Sequence, residues 1–268
     1  MVQFAIFLLQ NPLLSNFASG KIYQGGLKRM CTPGLNCYSC PAAVTSCPIG
    51  SMQFFLAGVK HSLGLYITGF LLTTSVLCGR FICGYVCPMG LLQDLLYKIK
   101  TPKLNVRLRY ARYIKYVILV LFVFILPFLV INELSGLGAP WFCKYICPSG
   151  TIFASFPLLA ANDSLRGLAG AQFLWKASLA IGLIILTTVV FRFFCRVLCP
   201  LGAIYSMFNG IAFFRMHLDE DKCVSCGKCH KACHIQIDPV KQPNSPECVR
   251  CAKCMNACGV RALRYRKN

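Results

Sequence analysis

Cysteines set the chemistry open to this chain. Four copies of one phrase run through it: Cys47-Pro48-Ile49-Gly50, Cys87-Pro88-Met89-Gly90, Cys147-Pro148-Ser149-Gly150 and Cys199-Pro200-Leu201-Gly202. Each has a cysteine upstream, as Cys83-x3-Cys87, Cys143-x3-Cys147, Cys195-x3-Cys199 and the denser Cys37-x2-Cys40-x6-Cys47. Thiolates this close in sequence can share one metal centre, whereas a disulfide usually joins distant segments. Proline suits the first turn of a helix, and a helix N-terminus favours negative charge. Each phrase is therefore expected to start a short helix whose N-terminus faces thiolates. Four cysteine-bearing phrases set among apolar segments suggest metal clusters in or beside a bilayer, and hence electron transfer.

Two further runs lie near the C-terminus: Cys223-x2-Cys226-x2-Cys229-x3-Cys233 and Cys248-x2-Cys251-x2-Cys254-x3-Cys258. Their spacing resembles that of bacterial two-cluster ferredoxins, in which the fourth cysteine of each run serves the other cluster. The resemblance implies one [4Fe–4S] cluster on Cys223, Cys226, Cys229 and Cys258, and another on Cys248, Cys251, Cys254 and Cys233. His234 and Gly259 stand where that family usually has proline. Zinc is the alternative for isolated Cys-x2-Cys pairs, but two complete four-cysteine runs speak for iron–sulfur.

The elements that must position these thiols are largely apolar. Of 268 residues 56% are hydrophobic and 13% charged, about half the charged share of a soluble domain, and the mean hydropathy is +0.60. A polytopic α-helical membrane protein follows. Four spans are expected: Met1–Asn16, taken as an uncleaved segment, then Phe54–Leu77, Tyr116–Ile131 and Phe173–Phe194, with Lys176 and Arg192 snorkelling near the ends of the last. The stretches Gly90–Ile99, Thr151–Ala161 and Ala203–Phe214 are too short to span and are expected as re-entrant or interfacial helices. Residues 1–214 then form a membrane domain, and 215–268 a polar, basic, ferredoxin-like α+β domain.

Charge orients the spans. Arg80, Lys98, Lys100, Lys103, Arg107, Arg109, Arg112 and Lys115 crowd between the second and third, whereas Lys144 and Arg166 between the third and fourth are offset by Glu133 and Asp163. The positive-inside rule puts the first stretch and both termini in the cytoplasm. Cys83, Cys87, Cys195 and Cys199 then lie on the inner side, enough for one four-cysteine cluster. Cys37, Cys40, Cys47, Cys143 and Cys147 lie on the outer side, one more than a second cluster needs. The net charge of +20 admits nucleic-acid binding, but cytoplasmic bias and compensation of anionic clusters explain it better. Four thiolates around a core of about +2 leave about −2 per cluster, so four clusters would cancel about 8 charges. Cys31 and Cys78 are left as small buried hydrophobes. Lys60 and His61 fall inside an apolar span, where an ionisable group can serve proton transfer in quinone chemistry or simply snorkel.

The runs from Pro33 to Pro41, Cys83 to Asp94, Pro140 to Pro148 and Phe194 to Ala203 together resemble the NapH/NosR-type membrane polyferredoxins. The resemblance implies a multi-pass 4Fe–4S protein of the cell inner membrane. It would pass electrons between a cytoplasmic donor or the quinone pool and a membrane or extracytoplasmic redox partner, as in anaerobic respiration. No nucleophile, general base or substrate pocket is apparent, so the chain reads as an electron-transfer subunit of a membrane oxidoreductase complex, without nucleic acid. The alternatives are a dithiol–disulfide relay on the outer cysteines and a redox sensor in which only the ferredoxin clusters are metallated.

Overall fold

The computed structural model describes residues 2–58, 64–104, 106, 108, 110–131, 138–167 and 169–267. The chain is mainly helical, and the sheet among the described residues has two strands. The principal helices are α1 (Val2–Gln10), α2 (Pro48–Leu56), α3 (Leu65–Cys78), α4 (Phe81–Tyr85), α5 (Pro88–Tyr97), α6 (Ala111–Leu129), α7 (Pro148–Ala161), α8 (Ala171–Val189), α9 (Phe193–Val197) and α10 (Pro200–Met207). Strands β1 (Phe214–Leu218) and β2 (Leu263–Lys267) bracket the short helices α11 (Lys228–Lys231) and α12 (Lys253–Asn256). They pair antiparallel, with Met216 opposite Tyr265.

All four Cys-Pro-x-Gly phrases fold alike. Cys47, Cys87, Cys147 and Cys199 are the N-caps of α2, α5, α7 and α10, each with extended backbone (φ −64° to −79°, ψ 111° to 128°) and proline as first helical residue. The proline ring supplies a helical φ and lacks the N–H that would be orphaned there anyway. The remaining free amides of the first turn point back at the cysteine. Gly202 N–H donates to Cys199 Sγ at 3.3 Å.

Helices α6 and α8 are each 19 residues long and apolar enough to cross a membrane. At 1.5 Å per residue each is about 28 Å long. The middle of α6, Leu119–Ile125, widens into a π-helix just before Pro127, and Thr151–Ser155 of α7 does so before Pro157. Proline removes one N–H from the ladder and crowds the carbonyl four residues back, which a wider turn relieves. The expected first and second spans differ from the observed helices. Helix α1 stops at Gln10, about 14 Å long. The stretch 54–77 is divided between α2 and α3. Lys60 and His61, in between, lie outside the described residues.

Polarity is distributed inside out. Leu65, Tyr66, Val117, Leu129, Leu174 and Ile185 point outward and are more than half exposed, whereas Arg80, Lys115, Arg192, Gln53 and Gln93 have no exposed surface. The snorkelling expected of Arg192 is replaced by burial against Asp94, with Nε–Oδ1 at 2.8 Å. Arg80 and Lys115, expected on a solvent-facing inner loop, are buried as well. Both grip Glu247 of the C-terminal segment, at 3.3 Å and 2.7 Å. Asn209, buried beside them, donates to the Ser245 and Cys248 carbonyls and accepts from Arg80 N–H. These contacts fasten the cysteine-rich C-terminal segment to the helical part.

Removing one partner from a buried ion pair leaves uncompensated charge, at about 3–5 kcal/mol. Glu247→Gln should therefore lower the thermal unfolding midpoint of the detergent-solubilised protein. Glu247→Leu combined with Lys115→Met should recover part of that loss, since it removes one of the stranded cations. An unchanged midpoint in Glu247→Gln would sink the latch.

Candidate metal centres

The C-terminal cysteines surround two hollows. Cys223, Cys226, Cys229 and Cys258 line the first, with apolar walls that include Leu218, Val240 and Val260. Cys233, Cys248, Cys251 and Cys254 line the second, with Met216, Ile235 and Ile237. The backbone repeats with an offset of 25 residues. Ser225 and Arg250, Gly227 and Ala252, and Gln236 and Arg261 all have positive φ, between 50° and 70°. Five of these six are not glycine, so each costs backbone strain of the kind that gathers at functional sites. Such turns present successive N–H groups to a concavity and suit an anion.

Each thiol feels this environment differently. Burial pushes the Cys248 thiol up to about 11 and the Cys254 thiol up to about 12, with neighbouring thiols adding to the effect. At Cys258 slight burial is outweighed by the amides of Ala262, Leu263, Val260 and Arg261, which hold the thiol below its ordinary value.

The helical part gathers two more sets. Cys47, Cys143, Cys147 and Cys37 lie within electrostatic reach of one another. Gly50 faces Cys143 Sγ, which a Cβ there would meet at 3.7 Å, and Gly150 faces Cys37 Sγ, at 3.6 Å. Copies one and three are thus set face to face. Cys83, Cys87, Cys195 and Cys199 form the other set, from copies two and four. Their glycines are needed for room, because a Cβ at Gly90 would meet the Cys83 carbonyl at 2.7 Å and one at Gly202 the Cys195 carbonyl at 3.0 Å. Cys40 packs with Ala42 and Ala43 against Phe17, Phe153 and Cys37 of the first set, close to Lys28. Cys31 is buried beside Ser46. The Cys78 carbonyl accepts from Arg250 at 3.0 Å.

Among the described residues no three Cys, His, Asp or Glu side chains converge as a single metal ion requires. A mononuclear site draws thiolates to about 2.3 Å from one ion, whereas a multi-iron core stands between them. Four thiols around a hollow, with inward amides and apolar walls, fit a [4Fe–4S] cluster in both C-terminal sites. The two helical sets have the same four-thiol stoichiometry and helix N-termini.

The sites adjoin one another. The Pro33–Asn36 loop leads directly into Cys37 of the first set and touches the second: Pro33 accepts from Tyr205 O–H at 2.7 Å, and Leu35 N–H donates to Cys87 Sγ at 3.4 Å. Tyr205, fully buried, lies within electrostatic reach of Cys83, Cys87 and Cys47. Next to Cys83, Gly84 lies so close to Val249, between Cys248 and Cys251, that a Cβ would meet its carbonyl at 2.6 Å. Arg192 completes this junction. It donates to the Cys83 carbonyl at 2.7 Å and lies within reach of both Cys195 and Cys251. His234 packs against Tyr97 and Phe191, so the residue that replaces the usual proline joins the two parts.

Arg192 and Asp94 are 98 residues apart, and their pairing has no sequence signal. Gln53 and Gln93 also escaped the sequence reading. Each stands six residues after a Cys-Pro cysteine, a regularity that could have singled them out.

Residues 61–107, 116–158 and 174–218, together half of the chain, match the family described as 4Fe-4S binding domain. Two uncharacterized proteins of Methanocaldococcus jannaschii are 27% identical over 198 residues and 29% identical over 202. These alignments cover 70% and 71% of this chain, and 65% and 74% of the relatives. An Escherichia coli relative, "Putative electron transport protein YccM", is 22% identical over 196 residues, covering 70% of this chain and 51% of the relative. The chain thus spans from half to three quarters of the relatives it matches. No solved structure matches it.

In the metal-free chain at pH 8, iodoacetamide should alkylate Cys258 before Cys248 and Cys254. A lowered thiol is more ionised at that pH and a raised one less, and the thiolate is the nucleophile. Peptide mass spectrometry over a time course reads the order; equal rates would contradict it.

Proposed function

Because this chain belongs to the 4Fe-4S binding domain family, we propose that it conducts electrons across a membrane through four iron–sulfur centres. The observation that carries the reading is the abutting of the cysteine sets, through the Pro33–Asn36 loop and through the contact of Gly84 with Val249. [4Fe–4S] clusters, when bound, supply one-electron oxidation and reduction. A hydrocarbon core of about 30 Å is too thick for efficient one-step tunnelling, so intermediate sites are needed.

In this reading residues 1–214 are the membrane domain and 215–268 the cytoplasmic ferredoxin-like domain. Cys37, Cys47, Cys143 and Cys147 hold the outer centre, with Cys40 the spare thiol. Cys83, Cys87, Cys195 and Cys199 hold the inner one. The ferredoxin sites are Cys223, Cys226, Cys229 with Cys258, and Cys248, Cys251, Cys254 with Cys233. The outward apolar faces of α3, α6 and α8 meet lipid, and α6 and α8 cross the cell membrane in a multi-pass arrangement. Lys103 and Thr101 donate to the Thr188 carbonyl at the C-terminal end of α8, supporting that end as the basic, cytoplasmic one. The protein residues hold and orient the thiolates, exclude water and supply donors and cations that favour negative charge. A relative bearing an electron-transport name supports the general reading. Within the family we read the chain as a NapH/NosR-type redox subunit that serves partner proteins and, through them or directly, quinone.

Two measurements test this. Anaerobically purified protein should hold about 16 iron atoms, and about 8 would restrict metallation to the ferredoxin sites. Cys40→Ser should keep that number, whereas Cys37→Ser, Cys47→Ser, Cys143→Ser and Cys147→Ser should each lose about four. In vesicles with trapped ferricyanide, the loaded protein should speed its reduction by external dithionite several-fold. No acceleration would refute transmembrane conduction.

A further inference from the structure

Two buried amides occupy matching places beside the helical thiols. Gln53 follows Cys47 by six residues on α2, and Gln93 follows Cys87 by six on α5; neither has any exposed surface. Gln53 Nε2 donates to Cys143 Sγ at 3.5 Å, and Gln93 Nε2 to Cys195 Sγ at 2.9 Å. Cys143 and Cys195 are themselves equivalent, each the upstream cysteine of a Cys-x3-Cys pair. The amide of copy one therefore reaches copy three, and that of copy two reaches copy four. The same places in copies three and four are Phe153 and Tyr205, which carry no amide.

The orientation of both amides is determined. Phe142 N–H, which can only donate, meets Gln53 Oε1 at 3.0 Å, so the nitrogen faces the thiol. The carbonyls of Ile49 and Met89, which can only accept, take the second amide proton at 3.4 Å and 3.2 Å. Among the described residues Gln93 Oε1, though buried, has no hydrogen-bond partner. A buried orphan acceptor is costly, so hydrogen bonding by the oxygen does not explain why an amide is placed there; the thiol at its other end does.

We propose that Gln53 and Gln93 are positioning residues that raise the reduction potentials of the two membrane-domain centres, each by an N–H···S hydrogen bond to one thiolate. The inference rests on the cluster reading above. Reduction adds negative charge that spreads onto the sulfurs, so a donor stabilises the reduced form more than the oxidised one. The shorter bond at Gln93 gives the inner centre the larger shift and biases it towards holding the electron.

The test is an EPR-monitored redox titration of the full-length, iron-loaded protein in detergent, with iron counted in each sample. Gln93→Leu keeps bulk and removes the donor. It should lower the midpoint of one centre so that the reduced-to-oxidised ratio at fixed potential falls about tenfold, or 59 mV for a one-electron couple. Gln53→Leu should lower the midpoint of a different centre by less, and each should leave the other centre unmoved. Full iron with unchanged midpoints overturns the proposal. If either Leu variant loses iron, the Met variant at that position takes its place in the titration, and iron loss there too makes the amide structural and overturns the proposal. Unsubstituted protein with only about 8 iron atoms would instead fail the cluster reading itself.

Discussion

Burying charge among apolar side chains is costly unless partners are fixed beside it, and this constraint organises the molecule. Seven of the eight thiols of the two helical sets lie in or against one apolar core with α2 to α10 around them, and Cys37 packs in a smaller cluster. Thiolates there require fixed donors and cations. Helix N-termini, the amides of Gln53 and Gln93, and the side chains of Arg80, Arg192 and Lys176 surround the helical sets. The cations in turn need anions, and Glu247 and Asp94 supply them. Interior polarity and an apolar exterior are two sides of one arrangement.

Internal duplication makes this economical. Four copies of one helix-start provide four equivalent N-caps, and pairing copy one with three and two with four closes each set. The C-terminal segment repeats the device at smaller scale, with left-handed residues at equal offsets in its two runs. In both parts a set is completed only by residues from the other half of a pair, so neither half is a site alone. The glycines at the contacts, Gly84, Gly90 and Gly202, let backbone approach backbone where a Cβ would collide.

Arg192 shows how the two parts are coupled. Its backbone is left-handed, at φ 49°, just after α8 ends. That turn sends the side chain inward to Asp94 and the Cys83 carbonyl rather than out to solvent. A residue that composition would assign to the membrane surface becomes part of the junction between the helical and C-terminal cysteines.

The sequence alone determined the local chemistry: cysteine spacing, helix starts at each Cys-Pro, and two apolar stretches long enough to become α6 and α8. These signals are legible because they act over a few residues. Five outer thiols remained for four places, and the basic residues 80, 115 and 192 looked like surface charge. Only the tertiary structure brought Cys37 and Cys47 within reach of Cys143 and Cys147, buried those cations against Glu247 and Asp94, and aimed Gln53 and Gln93 at thiols 90 and 102 residues away. Such pairings follow from how helices pack, and the distance along the chain between partners leaves no local pattern from which to infer them.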